Sequence, residues 1–90
     1  MSAAKFQLGQ LVGTPNALTS IPTPEILVAL RRHVTGDWGD LDEHDREENE
    51  FSLKEGLRLF SVYHSAQGVK FWIITEAGRS VTTVLLPEDY

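Results

Sequence analysis

The sequence contains no cysteine, which excludes a disulfide framework, a thiolate nucleophile and a cysteine-ligated zinc site. Its apolar runs are only a few residues long, far short of the roughly 20 residues of a membrane-spanning helix. The segment Met1–Lys5 lacks the apolar stretch of a secretory signal peptide. We therefore expect a cytoplasmic protein without a membrane partner.

Basic residues are scarce as well. Eight Lys and Arg stand against 13 Asp and Glu, which gives a formal charge of −5. A nucleic-acid-binding surface needs an excess of positive charge, so we expect no direct nucleic-acid partner. Apolar residues make up 41% of the chain, which is enough for a thin core at this length. We predict a single domain over residues 1–90.

The N-terminal part, residues 1–23, is predicted to be an arm with a short helix. Thr14 can cap that helix and Pro15 suits its first position, so we place it at 15–19. Residues 6–12 alternate only loosely between apolar and polar side chains. Because glycine weakens strands, Gly9 and Gly13 leave this stretch irregular or strand-like.

Residues 24–56 are predicted to be helical. Thr23-Pro24-Glu25 is a helix-start signal, and apolar residues then recur at helical spacing, so one helix covers 24–35. A capping box at Asp40–Glu43 begins a second helix, which runs to about Glu55 and stops at Gly56. The apolar face of that second helix is poor, with Leu41, Phe51 and Leu53 as its members. It must therefore face solvent or meet polar groups.

Residues 57–90 are predicted to form an antiparallel sheet. Three stretches rich in β-branched and aromatic residues, 57–65, 69–76 and 80–86, are separated by short turns that contain Gly68 and Gly78. The predicted fold class is therefore α+β, with two to three N-terminal helices followed by a three-stranded antiparallel β-meander.

Both faces of this sheet carry large apolar side chains, and the helices can cover only one of them. The last strand, 80–86, would also leave an edge without blocking charges. We therefore expect a homodimer, formed through the open sheet face or through this edge. The alternative is a monomer in which residues 1–20 fold over the open face.

An acidic segment is the most distinctive feature of the chain. Residues 37–50 contain eight acidic residues and one arginine, so this segment carries −7 while the rest of the chain carries +2. The alternatives are a solvated helix face, a docking surface for a partner with a basic surface, and a DNA-mimicking anti-restriction surface. The predicted partner-binding residues are Asp37, Trp38, Asp40, Asp42, Glu43, Asp45, Glu47, Glu48 and Glu50.

Two tryptophans are the other conspicuous groups. Trp38 lies beside the acidic segment, where it is either a packing anchor or a binding hot spot. We favour the anchor for Trp38, and more strongly for Trp72.

Oxygen and imidazole groups in the acidic segment raise the question of a metal. Asp42, Asp45 and Asn49 share one helical face at i, i+3 and i+7, and His33, Asp37 and His44 could approach them. No spacing matches a known metal-binding loop, so we expect no metal site and no cofactor. We expect instead that Asp45 and Asn49 hydrogen-bond the backbone of the Trp38-Gly39 turn.

Catalytic motifs are missing: no Ser-His-Asp spacing or phosphate loop stands out, so no catalytic residue is predicted. Two helices followed by a meander do resemble RelE-type ribonuclease toxins. That resemblance keeps a small ribonuclease as an alternative function. Its residues would be His64, Tyr63, Arg58, Lys70 and Arg79 on the sheet and its turns.

Two blocks carry a more specific resemblance. The stretch Arg32-His33-Val34-Thr35-Gly36-Asp37-Trp38-Gly39-Asp40-Leu41-Asp42, with Asp45 and Asn49, is one, and the tail from Phe71 to Tyr90 is the other. They resemble small bacterial proteins of plasmids and integrated mobile elements, often labelled "plasmid-related protein" or "type I restriction endonuclease subunit M". A methylation subunit needs a glycine-rich cofactor loop and an Asn-Pro-Pro-aromatic motif, which are absent. The resemblance therefore implies a genomic context and not an activity. We predict a non-catalytic accessory or interaction protein of a mobile genetic element that acts through the acidic surface at residues 37–50.

Overall fold

The computed structural model describes residues 3–90 and shows an α+β fold with three helices and a four-stranded mixed sheet. Met1 and Ser2, which begin the predicted arm, lie outside the described residues. No helix within 3–90 is long and apolar enough to cross a bilayer. The elements are β1 (Gln10–Gly13), α1 (Pro15–Ser20), α2 (Thr23–Val34), α3 (Glu43–Glu55), β2 (Leu59–His64), β3 (Lys70–Thr75), β4 (Val81–Leu85) and a 3-10 turn at Pro87–Asp89.

The sheet has the strand order β1-β4-β3-β2, so the prediction of only three strands is wrong. The three C-terminal strands are antiparallel, as expected, but β1 adds to β4 in parallel. Gly9, which seemed to weaken a strand, allows this addition. Its φ is +67°, and a Cβ there would lie 2.3 Å from the Ser80 carbonyl oxygen. The arm therefore covers the β4 edge, and a dimer through that edge is excluded.

Capping residues set the helix bounds. The Thr14 side chain accepts a hydrogen bond from the Ala17 N–H, as predicted for α1. Helix α2 begins one residue earlier than predicted, and Thr23 does not cap it. Asp42, rather than Asp40, caps α3 by accepting from the Asp45 N–H, and α3 ends at Gly56 with a left-handed φ of +74°.

Helices α1 and α2 cover one face of the sheet. Ile26, Ala29 and Leu30 of α2 point at the strands, and they pack with residues at every second position of β3 and β4. The main core consists of Ala17, Ile21, Ile26, Ala29, Leu30, Tyr63, Phe71, Ile73, Val84 and Leu86.

The opposite face of the sheet is less open than the sequence indicated. Val62, Ile74 and Leu85 on this face are buried. Tyr90 packs edge-on against Trp72, with ring centroids 5.8 Å apart. The chain's own residues thus cover much of this face, which removes the basis for a dimer through it. The Trp72 Nε1 atom is buried and has no hydrogen-bond partner among residues 3–90.

A chain of hydrogen bonds crosses the core at its polar end. The Thr82 hydroxyl donates to the Leu8 carbonyl, so its proton is committed, and Thr75 must donate to Thr82. The Thr75 oxygen therefore accepts from Nε2 of His33, at 2.9 Å. Nδ1 of His33 then accepts from the Ser61 hydroxyl, at 2.6 Å. The imidazole is neutral and carries its proton on Nε2, and the chain joins α2 to β2, β3, β4 and the arm.

Protonation of His33 should destabilise the fold. Burial, assisted by the charge of Arg79, lowers the pKa of His33 from 6.5 to about 3. The unfolded chain therefore binds a proton that the folded chain rejects between these values. The contribution of neutral His33 to the free energy of unfolding is present in full above pH 6.5 and falls as pH drops toward 3. It decreases by about 2 kcal/mol between pH 7.5 and pH 5. Urea unfolding at several pH values measures this slope.

A glutamine variant supplies the control. His33→Gln should be less stable at pH 7.5 but should show a flatter dependence on pH. A wild-type slope that survives His33→Gln would contradict this account.

Candidate functional site

The acidic segment folds largely into α3, a helix with almost no apolar face. Its one buried residue is Asn49, and Leu53 is half-buried. Polar bonds therefore hold α3 in place. The Asn49 amide donates through Nδ2 to the Phe60 carbonyl, and its Oδ1 accepts from the Phe60 N–H at 3.2 Å. The amide pairs with β2 as a neighbouring strand would.

The turn before α3 closes the rest of this edge. The Asp40 N–H donates to the Val62 carbonyl at 2.8 Å, and the Val62 N–H donates to the Trp38 carbonyl at 3.1 Å. Only glycine fits at position 39, where φ is +75°, because a Cβ would lie 1.9 Å from the Val62 oxygen.

Arg46 is the one arginine of the acidic segment, and it binds this turn to α3. Its guanidinium donates to the Gly39 carbonyl at 2.9 Å and to the Leu41 carbonyl at 3.0 Å. We expected Asp45 and Asn49 to bind the turn. Arg46 does so instead, because carbonyls need donors, and Asn49 lies beside Phe60.

Trp38 is a packing anchor, as we favoured, and is not one of the exposed residues of the predicted partner-binding set. The side chain is only 2% exposed. Its ring stacks on Phe6 and meets His33 edge-on, with centroids 6.2 and 5.7 Å apart. The indole N–H donates to the Glu50 carboxylate at 2.7 Å. The buried Trp38 indole therefore holds the Glu50 side chain of α3 through a hydrogen bond.

Four of the predicted acidic residues have internal partners. Asp37 forms a bidentate pair with Arg32 at 2.7 and 3.2 Å, and this hydrogen bonding to Arg32 lowers the pKa of Asp37. Asp40 lies 2.6 Å from Nδ1 of His64. Asp42 caps α3 and Glu50 accepts from Trp38. These acids position the segment.

The remaining predicted acids point to solvent. Glu43, Asp45, Glu47 and Glu48 are exposed. Within residues 3–90 the one basic side chain that lies within 4.0 Å of their carboxylates is His44, 3.6 Å from Asp45 and 3.9 Å from Glu48. Phe51, which we placed on the inward face, lies among them and is 58% exposed. Helical spacing alone could not show this, because an apolar residue on a polar helix is assigned to the core by default.

One shallow groove follows this outward stripe. It is lined by residues at i, i+3, i+4 and i+7 along α3. These residues are His44, Glu47, Glu48 and Phe51. We call this stripe, together with Glu43, the α3 outer face.

The candidate metal residues are brought together only in part. Ligand atoms of Asp42, His44 and Asp45 lie within 4.8 Å of one another, and all three residues are exposed. Asn49 instead binds Phe60, and His33 is buried in its own network. Asp42 is already committed to capping the helix.

The candidate ribonuclease residues do not converge. Burial raises the pKa of Tyr63 to about 12, and its hydroxyl donates to the Asp37 carbonyl. The Arg79 guanidinium donates to the Ser52 and Leu57 carbonyls at the end of α3.

Of the remaining members, only His64 and Lys70 lie side by side. Arg58 pairs with Glu76, and Tyr90 accepts from the same guanidinium. His64 and Lys70 face each other across the β2–β3 pair, and His64 is the residue that pairs with Asp40.

Truncation of Trp38 should lower the free energy of unfolding. Trp38→Ala is expected to cost about 3–5 kcal/mol, because it empties a filled site. Glu50→Gln keeps an acceptor but loses the charge, so we expect a loss of about 1 kcal/mol. Phe51→Ala is the control and should change stability by less than about 0.5 kcal/mol. Urea unfolding measures all three, and a Trp38→Ala protein of wild-type stability would contradict the burial of the indole.

Comparisons of the chain with protein-family models, with curated proteins and with solved structures find no match. The site is therefore defined by its own contacts and charges. Those contacts divide the acidic segment into an inner set with partners elsewhere in the fold and an outer face whose acids, within residues 3–90, lie near no basic side chain other than His44.

Proposed function

We propose that this protein is a non-catalytic interaction protein that binds a partner through the α3 outer face. The observation that carries the proposal is the exposed Phe51 with Glu47 and Glu48 beside it, on a helix that is held to the sheet by its opposite side. The resemblance in the two sequence blocks supports an accessory role in a mobile genetic element.

A merely solvated helix face does not account for these residues. Glu43 and Asp45 lie in the first turn of α3, where the helix dipole favours acids. Glu47 and Glu48 lie beyond that turn, and Glu43 and Glu47 repel each other at i, i+4. An exposed phenylalanine adds nothing to folding. The fold gains little from this arrangement, so binding is the better explanation.

The chemistry of the face specifies the partner. Interface hot spots are typically aromatic anchors enclosed by a polar rim. Here Phe51 would enter an apolar pocket, while Glu47 and Glu48 would meet Lys or Arg around it. Binding should weaken as salt rises, because rim charges are screened at physiological ionic strength.

DNA mimicry has less support. Helix α3 has 13 residues and is about 20 Å long, whereas duplex DNA carries a charge about every 1.7 Å. The four solvent-facing acids Glu43, Asp45, Glu47 and Glu48 fall well short of that density. Ribonuclease activity has less support again, because only His64 and Lys70 among its candidate residues lie side by side.

Substitutions on the α3 outer face should weaken capture of the partner. The immobilised protein is exposed to lysate of the native host, and the captured protein is identified and titrated. Phe51→Ala should bind about 30-fold more weakly, which corresponds to about 2 kcal/mol. Glu48→Lys should also weaken binding and reduce its dependence on salt.

Matched controls lie elsewhere on the chain. Glu88→Lys makes the same charge change on the 3-10 turn, and Val28→Ala removes an equally exposed apolar side chain from α2. Both should bind within about twofold of the wild type. Equal losses in the controls, or full binding by Phe51→Ala, would refute this surface.

A further inference from the structure

Strand β1 has one hydrogen-bonding side that is not used within the chain. The Gln10 N–H donates to the Ser80 carbonyl, and the Thr14 N–H donates to the Val84 carbonyl, so alternate residues of β1 face β4. By the same alternation, the N–H and C=O groups of Leu11 and Gly13 point away from the sheet. Within residues 3–90 no backbone hydrogen bond joins these two residues to another element.

An apolar groove lies beside this edge. Leu11 pairs in register with Thr82, which is buried beneath the helices, so Leu11 faces the helix-covered side of the sheet. Leu18 of α1 and Leu27 of α2 line the same groove. Leu11, Leu18 and Leu27 are 53, 57 and 58% exposed, which is unusual for three neighbouring leucines.

We propose that this edge binds a second copy of the chain, with the two β1 strands antiparallel around a two-fold axis at Val12. In that register Leu11 of each copy pairs with Gly13 of the other, and four N–H···O=C bonds form. Because the axis is perpendicular to the sheet, both helix-covered faces lie on one side. The leucines of the two copies then meet across the seam. This inference is independent of the function proposed for α3.

A second copy fits this edge better than a foreign partner. The groove is lined by Leu11, Val12, Gly13, Leu18, Ile26, Leu27, Leu30 and Val84, so it has no charge that would repel its own image. The acidic α3 lies at the opposite edge, beside β2. The edge strand also lacks the lysine or proline that commonly prevents strand pairing.

The dimer would separate the two proposed binding faces. Two four-stranded sheets joined at β1 make eight strands, which span about 34 Å at the usual strand spacing. The two α3 helices lie at the outer ends. A partner with two matching sites would therefore be bound bivalently.

Charge substitution at the seam tests the dimer. Sedimentation equilibrium of the full chain at up to about 300 μM should show twice the monomer mass of 10.1 kDa, with a dissociation constant on the order of micromolar. Leu27→Lys should be monomeric, because two lysines would meet across the axis. Val28→Lys, on the same helix and 61% exposed but outside the groove, should dimerise like the wild type.

Hydrogen exchange locates the contact. The Leu11 and Gly13 amides should exchange about fivefold more slowly when the protein concentration is about ten times the dissociation constant, and this protection should vanish in Leu27→Lys. A wild-type protein that stays at 10.1 kDa at the highest concentration overturns the proposal. Equal loss of the dimer in Val28→Lys, or a dimer without protection at Leu11 and Gly13, overturns it as well.

Discussion

The pairing of the Asn49 amide with the backbone of Phe60 decides how the acidic helix is held. A helix with one buried residue cannot attach to a sheet through apolar area. A side-chain amide offers one donor and one acceptor in the geometry of a peptide group, so it can extend a sheet edge by one position. The Trp38–Asp40 turn pairs with Val62 next to it, and Arg46 and Glu50 tie that turn to the helix. The opposite side of α3 is consequently left with its charges and with Phe51.

Polar groups and glycines also hold other parts of the molecule together. They make contacts between segments that the thin apolar core does not provide. His33 joins four segments through hydroxyl groups in a fully directional chain. Gly9 and Gly39 allow backbone to approach backbone where any side chain would collide. These two glycines weaken regular structure locally, but they permit contacts between segments that are distant in the chain.

The sequence predicted correctly those features that depend on residues close together in the chain. The periodicity of α2, the Thr14 cap, the stop at Gly56 and the three C-terminal strands are all found. Strand β1 was left open between irregular and strand-like, because its four residues gain their structure only from β4, which lies about 70 residues away in the chain.

The site was predicted less well than the fold. The sequence indicated the acidic segment, but it could not separate Asp37, Asp40, Asp42 and Glu50, which have internal partners, from the acids that face solvent. The burial of Trp38 and the exposure of Phe51 likewise depend on the side from which α3 is held. That side is set by Asn49, which we expected to hydrogen-bond backbone, although at the Trp38-Gly39 turn and not at Phe60.

The account therefore depends on the Asn49–Phe60 pair, and native-state hydrogen exchange at the Phe60 amide tests it most directly. Asn49→Ala removes the acceptor, and Asn16→Ala, which removes an exposed asparagine side chain, is the control. In Asn49→Ala the Phe60 amide should exchange at least about tenfold faster, because its hydrogen bond is lost. The amides of α3 should accelerate with it, while the Ser61 amide, on the β3 side of the strand, stays protected. A Phe60 amide that exchanges equally slowly in the wild type, Asn49→Ala and Asn16→Ala would contradict the account.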